Sequence, residues 1–257
     1  MNNLDVIVLA AGKGVRMKSD IPKVLHLLCG KPMIEHVIET ILNLNPNRIY
    51  LVVGYQSDKI KEFVNEKFIS KLNKIEFVTQ EQQLGSGHAV RCVTSYIKDT
   101  DGDILIMYGD TPLITNKTLD KLITTHKKNN NDLTLLTARV NNPFGYGRII
   151  TDEKANVVEI KEELDLSDIE KEIKEINVGV YCIRKELIIK NIDKIKINER
   201  KNEYYFTDIV KILYQQNKKI KVVLTDNNDE IIGINTKDEI IHAEKLLQER
   251  FKTCTIN

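Results

Sequence analysis

The chain has 257 residues, 42% of them hydrophobic, with 38 Lys+Arg against 37 Asp+Glu for a net charge of +1. That composition fills a sizeable core and excludes a disordered chain, and the balanced charge offers no global field for nucleic acid or a membrane surface. No run approaches the ~20 apolar residues of a membrane span, no basic leader precedes the apolar stretch at 6–11, and Cys29, Cys92, Cys182 and Cys254 lack metal or CxxC spacing. The expectation is a cytoplasmic protein with buried free thiols, and any basic site has to be local.

In chain order, DVIVLAA (5–11) is a short apolar run suited to a buried parallel strand. A helix follows from Pro32, a good first-turn residue, through PMIEHVIETILNL (32–44). RIYLVVG (48–54) is a second strand, and SDKIKEFVNEKF (57–68) a helix with Ser57 as its N-cap. IEFVTQ (75–80) is a third strand, GSGHAVRCVTSY (85–96) a glycine-led helix, and DILIMYGD (103–110) a fourth strand before a helix near 116–129.

Four strand–helix alternations within the first half predict a Rossmann-like, doubly wound α/β sheet, mostly parallel, with right-handed crossovers. In such sheets ligands sit outside the carboxyl ends of the strands. Those ends carry GKGVRM (12–17), GYQS (54–57), QEQQLGSG (80–87) and YGDTP (108–112).

The second half is less regular and makes the sheet mixed. Strands are expected at 132–140, 157–160, 176–183 and 219–225, with PFGYGRII (143–150) turning into another. Residues 161–175 are strongly charged and read as a solvated surface helix or excursion. A helix at 206–217 and a closing helix at 236–251 complete a single domain over 1–257.

The first loop is neither a P-loop nor a dinucleotide fingerprint, because GxxxxGK[ST] and the third glycine of GxGxxG are missing, and no acidic residue closes the second strand. What remains is a glycine loop with fixed cations, able to form an anion nest at Gly12 and Gly14. Arg16 offers a planar fork for phosphate oxygens and Lys23 a point charge, while Lys13 and Lys18 read as solvent-facing. His26, His36 and His88 make no metal spacing and read as structural or exposed. From the residues alone Asn235 reads as an N-cap for the closing helix.

LAAGKGVRM with PKVLH (9–26) resembles the opening of the sugar nucleotidyltransferases. EQQLGSGHA (81–89), YGDTPL (108–113), FGYGRI (144–149), EINVGVY (175–181), NEYYFTD (202–208) and IIGINTK (231–237) follow in the same order. Together they are similar to the uridylyltransferase domains of the bifunctional N-acetylglucosamine-1-phosphate uridylyltransferase/glucosamine-1-phosphate acetyltransferases, over about residues 4 to 240.

The resemblance implies the nucleotide-diphospho-sugar transferase type of sheet and an enzyme joining UTP to N-acetylglucosamine 1-phosphate. Its products would be UDP-N-acetylglucosamine, a cell-wall peptidoglycan precursor, and pyrophosphate. It implies Mg²⁺ held by Asp110 and Asn235, and catalytic Arg16 and Lys23 on the phosphates. It implies a UTP pocket from Leu9, Ala11, Gly12, Gly14, Gln80, Gln83, Gly85 and Ser86. The sugar set it implies is Tyr108, Gly147, Glu159, Asn177 and Thr207, with Tyr204 and Tyr205 near the sugar or in the core. No hexapeptide repeat is present, so acetyl transfer and the trimer contacts of those enzymes are not expected here, and the oligomeric state stays open. The alternatives are a transferase for another sugar 1-phosphate and a non-catalytic nucleotide-sugar binding module.

Overall fold

Every residue of the first strand, β1 (Leu4–Ala10), is buried, as its unbroken apolar run requires of a strand covered on both faces. The computed structural model describes residues 3–255, except the side chains of Phe251, Thr253, Cys254 and Thr255. Eight further strands join the same sheet: β2 (Arg48–Val53), β3 (Ile75–Thr79), β4 (Asp103–Tyr108), β5 (Leu133–Arg139), β6 (Arg148–Thr151), β7 (Val157–Lys161), β8 (Glu175–Arg184) and β9 (Ile220–Leu224).

The spatial order is β9-β5-β8-β4-β1-β2-β3, with β6 paired to β8 and β7 paired to β6. Strands β1 to β4, β5 and β9 run one way, while β8 is antiparallel to both β4 and β5. The sheet is therefore mixed and mostly parallel.

Helices α1 (Met33–Asn43), α2 (Ser57–Lys67), α3 (Ser86–Thr94) and α4 (Asn116–Lys128) are the crossovers of the first half. The one-turn α5 (Asp168–Lys171), α6 (Lys185–Asn191), α7 (Asp208–Gln215) and α8 (Lys237–Thr255) belong to the second. Two large apolar clusters cover the two faces of the sheet, one centred on α1 and Val8, the other on α3, α7 and Ile7. A smaller third cluster pins α8 through Ala243 and Leu247 onto Leu28 and Met33.

All nine strands and the crossover helices fall where the sequence places them, with three local corrections. Ser57 is the first residue of α2 rather than its cap. Gln56, at φ 50°, holds the cap position, and the Ser57 N–H is spent on the Gly54 carbonyl. Pro32 precedes α1 instead of opening it, because it pairs with Leu27 in a two-residue hairpin. The charged stretch at 161–175 is a short 3-10 turn (Glu163–Asp165) followed by α5. Ser167 and Glu170 close α5 with a reciprocal capping box.

Among the described cysteines all thiols are free, but only Cys182 is fully buried, with Cys29 and Cys92 half-covered; the Cys254 side chain lies outside the described residues. Among the described residues no helix is long and apolar enough to cross a membrane.

Gly85, at φ +94°, turns the chain into α3. A Cβ there would lie 2.6 Å from the Tyr204 carbonyl oxygen, on a second hairpin (Ile197–Asn198 with Glu203–Tyr204) packed against the segment. Gly85→Ala combines a left-handed backbone with a steric clash, so it is expected to lower unfolding stability by about 2 kcal/mol or more. Urea denaturation measures this; an unchanged midpoint would contradict the described contact.

Candidate functional site

A cleft of about 590 Å³ opens at the carboxyl ends of β1 and β4 and at the residue that follows β3. Backbone hydrogen bonds carry the sheet register past the strands: Gly109 N–H to Leu9, Tyr55 N–H to Ala11, and Gln80 N–H to Val53. Leu9, Ala11, Gly12, Gly14, Lys23, Gln80, Gln83, Gly85, Ser86, Tyr108 and Asp110 all line it. Small residues at Ala10, Ala11 and Gly12 leave the room, because a larger side chain there would fill the floor.

The glycine loop is held by contact rather than left mobile. Gly14 sits at φ +61°, and a Cβ on it would meet the Lys23 Cβ at 2.6 Å. Val15–Met17 then makes a single 3-10 turn. Lys13 and Lys18 are exposed, as expected, and Val15 is among the most exposed apolar side chains.

At one end of the cleft, the buried Gln80 donates from Nε2 to the Gly85 carbonyl (3.1 Å) and to His88 Nδ1 (3.0 Å). Gln83 donates to the Gln80 carbonyl (3.0 Å) and lies over Gly54. Ser86 Oγ accepts from the Phe206 N–H (3.0 Å), tying this end to the second hairpin. Glu203 of that hairpin also lines the cleft, a residue the sequence reading did not single out.

At the middle, Lys23 Nζ bonds the Asp110 carboxylate and lies 3.0 Å from Asn235 Oδ1. Arg16 donates to the same Asn235 oxygen at 2.9 Å. Asn235 does not cap α8. Thr236 does, accepting the Glu239 N–H on Oγ1 while Glu239 accepts the N–H groups of Thr236 and Asn235. The Asn235 amide is thereby free to aim its oxygen at the two cations, with Nδ2 on the Gly233 carbonyl. The loop is fixed from behind by Ile234 N–H on the Asp110 carbonyl and by Glu230, a buried carboxylate held by Thr115 and Thr118.

Asp110 and Asn235 supply two oxygens, one anionic, from separate loops. That is a fit for Mg²⁺, which takes one or two protein oxygens and completes its shell with water and phosphate. Among the described residues no group of three or more His, Cys, Asp or Glu forms a metal cluster.

The other end is built around the antiparallel strand. A bulge between Asn177 and Tyr181 lets Gly179, at φ +81°, lie under the Tyr108 ring, 2.6 Å from where its Cβ would be. Asn177 donates to the Tyr181 hydroxyl (2.7 Å), and its N–H bonds the Gly147 carbonyl (2.8 Å). Thr207 donates to Glu162 Oε1 at 2.8 Å. Burial pushes both the Tyr108 phenol and the Glu162 carboxyl up.

The structure does not bring Glu159 into this group. Its carboxylate pairs with Lys211 of α7 at 2.8 Å. Glu162 stands there instead, with Oε2 3.5 Å from the position a Cβ on Gly147 would take. The signal was present in the strand period: Ile160 is buried, so Glu162, two residues on, shares its side, while Glu159 lies opposite. Tyr204 packs in the core cluster and under Arg91.

A family model described as the MobA-like NTP transferase domain matches residues 6–166. Among curated relatives, the "Bifunctional protein GlmU" of Picosynechococcus is 43% identical over 249 residues, 96% of this chain and 53% of the relative. The protein of the same name from Streptococcus mutans is 39% identical over 95% of this chain and 52% of its own length. The chain thus spans about half the length of the curated relatives it matches.

Among solved structures, a UDP-glucose pyrophosphorylase complexed with UDP-glucose superposes with a TM-score of 0.77 at 16% identity, over 97% of this chain and all of that one. HddC from Yersinia pseudotuberculosis complexed with GMP-PN gives 0.67 at 23%, over 95% and 99%. At these identities the two structures show the shared α/β nucleotide-sugar transferase fold.

Glu162 carries a testable cost. Its folded carboxyl titrates above the ordinary value, so ionising it destabilises the fold as pH rises through that folded value, and the penalty is absent below the unfolded one. Glu162→Gln keeps an acceptor for Thr207 and removes the charge. It is expected to melt higher than the parent above neutral pH, with the gap closing in acid. Thermal melts across pH measure it, and a gap that widens in acid would contradict the assignment.

Proposed function

The chain belongs to the MobA-like NTP transferase family, and we propose that it transfers the uridylyl group of UTP to N-acetylglucosamine 1-phosphate and releases pyrophosphate. The observation that carries this reading is the convergence of Arg16, Lys23, Asp110 and Asn235 beside the cleft that Lys23 and Asp110 line. Amides line one side of that centre, and Tyr108 stands on the other, with the Glu162 carboxylate near it. A nucleotidyl transfer needs such a centre, because the reaction forms one P–O bond, breaks another and concentrates negative charge between them.

In this reading the base lies at the Gln80 end, against Gln83, Gly85 and Ser86. The triphosphate lies over the glycine loop, with N–H groups of the first turn and Arg16 toward its outer phosphates. The sugar lies at the Tyr108 end, with Gly147, Asn177, Thr207 and Glu162 around its hydroxyl and acetamido groups. A phosphate oxygen of the sugar phosphate attacks the α-phosphorus, and the bond to the bridging oxygen breaks in line, sending its electron pair to pyrophosphate. Lys23 stabilises the charge at the α-phosphate and Arg16 that on the leaving group. Asp110 and Asn235 would hold Mg²⁺, which neutralises phosphate charge when bound.

The curated relatives' name and the match to the N-acetylglucosamine branch at QLGSGHA and GYGRI support this substrate pair over others. Pyrophosphate release with UTP, CTP and dTTP against the 1-phosphates of N-acetylglucosamine, N-acetylgalactosamine, glucose and glucosamine tests it. UTP with N-acetylglucosamine 1-phosphate is expected to be preferred. Activity only with another pair would overturn the specificity, and no release with any pair would overturn the transferase reading.

Three substitutions check the residue roles. Asp110→Ala is expected to lose at least ~100-fold in kcat with the fold retained and a lowered melting temperature, because Asp110 lies past a strand end outside the apolar core but its removal leaves the Lys23 ammonium without its carboxylate. Glu162→Ala is expected to raise the KM for the sugar phosphate and spare that for UTP, whereas Glu159→Ala changes neither. Steady-state kinetics of the three variants decide this, and the reverse ranking of the two glutamates would place the sugar elsewhere.

A further inference from the structure

His88 makes no metal spacing and enters no step above, yet its ring touches the residue that reads the base. We propose that His88 is a positioning residue: it locks the Gln80 amide with its oxygen toward the cleft, so that the pocket accepts a ring N–H and selects uracil over cytosine. The proposal rests on the reading of the Gln80 end as the base pocket.

The argument begins with hydrogen counting. The Gly85 carbonyl can only accept, so the Gln80 atom 3.1 Å from it is the NH₂ group. The same nitrogen lies 3.0 Å from His88 Nδ1. An amide nitrogen has two hydrogens, and these two partners use both. His88 Nδ1 therefore accepts, which makes the ring neutral with its proton on Nε2, the nitrogen that faces Cys92 Sγ at 4.0 Å. The Gln80 oxygen is left as the amide's only free group.

An amide oxygen accepts and cannot donate. Uracil carries an N–H at ring position 3, where cytosine carries a bare nitrogen, so the fixed orientation rewards the first and repels the second. Were the amide to turn over, its oxygen would face the Gly85 carbonyl and its NH₂ the base, and the preference would reverse. One carbonyl and one imidazole nitrogen hold it from turning.

The surroundings keep His88 in its neutral form. Burial and the guanidinium of Arg91 hold the imidazole below its ordinary value, against the opposing effect of the Gln82 carbonyl. Arg91 is itself fixed over the Tyr204 ring at 4.7 Å and on Asp193 at 3.1 Å. Tyr204 of the hairpin, its ring centroid 6.4 Å away, and Cys92 of the same helix also face it. As pH falls through the lowered His88 value, Nδ1 gains a hydrogen and meets the Gln80 NH₂ donor to donor. UTP binding then weakens in acid.

The test uses His88→Asn, His88→Leu and Gln80→Leu in the full chain, with kcat and KM measured for UTP, CTP and the sugar 1-phosphate from about pH 5 to 8. Asn places an oxygen where Nδ1 stood and does not titrate. His88→Leu is expected to raise the KM for UTP about tenfold and to cut the UTP-over-CTP ratio to match, since it leaves a buried donor unpaired, while the sugar-phosphate KM holds. His88→Asn is expected to keep parental values at neutral pH and to lack the acid loss of UTP affinity.

The proposal is overturned if His88→Leu discriminates as the parent does, or if His88→Asn fails as badly as His88→Leu. It is overturned equally if the acid limb persists in His88→Asn. Should His88→Leu not fold, the acid limb of His88→Asn decides alone. Gln80→Leu separates the two readings: if it leaves the UTP preference intact, the base pocket lies elsewhere. If it abolishes the preference while the His88 variants do not, only the positioning role fails.

Discussion

The pairing of Lys23 with Asp110, shared with Asn235, joins three loops that are far apart in sequence. Half-covered charges of this kind are costly unless each has a partner, so each side chain here solves the other's problem. The surrounding sequence serves that arrangement. Gly14 has no side chain because the Lys23 stem runs against it, and Ile234 bonds the backbone of Asp110 so that Asn235 arrives at the right height. Without a substrate, the positive and negative groups satisfy one another. In the proposed reading Lys23 exchanges Asp110 for phosphate when substrate binds, which would leave the Asp110 oxygens for a cation.

Strand β8, which runs against its neighbours β4 and β5, makes the two halves of the site unlike. On the β1–β4 side, parallel strands end in loops that lead directly into helices, and these ends supply glycine backbone and amides. On the β8 side, the chain passes the cleft in the opposite sense, and its bulge at 177–181 presents Asn177 and clears room under Tyr108. The β6–β7 ribbon then extends that edge, with Gly147 just before it and Glu162 just after it brought close to each other. The hairpin at 197–204 reaches back across to Gly85 and Ser86, so the two halves brace each other.

What was legible in the sequence follows from how strongly each feature is written. The buried strands β1, β2 and β4 show as apolar runs, and the glycine and polar groups at strand ends mark the cleft. Two-residue hairpins at 27–32 and 197–204 carry no period and are invisible to pattern. The N-cap of α8 was ambiguous because Asn235 and Thr236 are both good caps; the Glu239 carboxylate, reaching back three residues to Thr236, decides it. Glu159 lies within the 157–161 strand and Glu162 one residue past its end, and the extra residue Val158, between the 150/159 and 151/157 pairs, interrupts the alternation that would assign them by parity. His88 shows nothing in sequence at all, since its relation to Gln80 depends on the turn at Gly85.

The charges around the site are segregated, and in the proposed reading this sets the direction in which the substrates lie. Arg16, Lys23 and Lys13 stand at the glycine loop, while Glu162 and Asp208 lie on the sugar side, both pushed up chiefly by burial, with neighbouring carboxylates adding to it. A wall of carboxylates repels phosphate and welcomes hydroxyl and amide donors. A triphosphate placed backwards would set its charge against that wall and leave the cations unpaired, so it is disfavoured twice. The same wall explains why the site is costly to the fold: half-buried carboxylates that titrate high are strained in their ionised form. Neutral groups of the same shape would relieve that strain and, in the proposed reading, would also remove the repulsion that tells the phosphate end of the cleft from the sugar end.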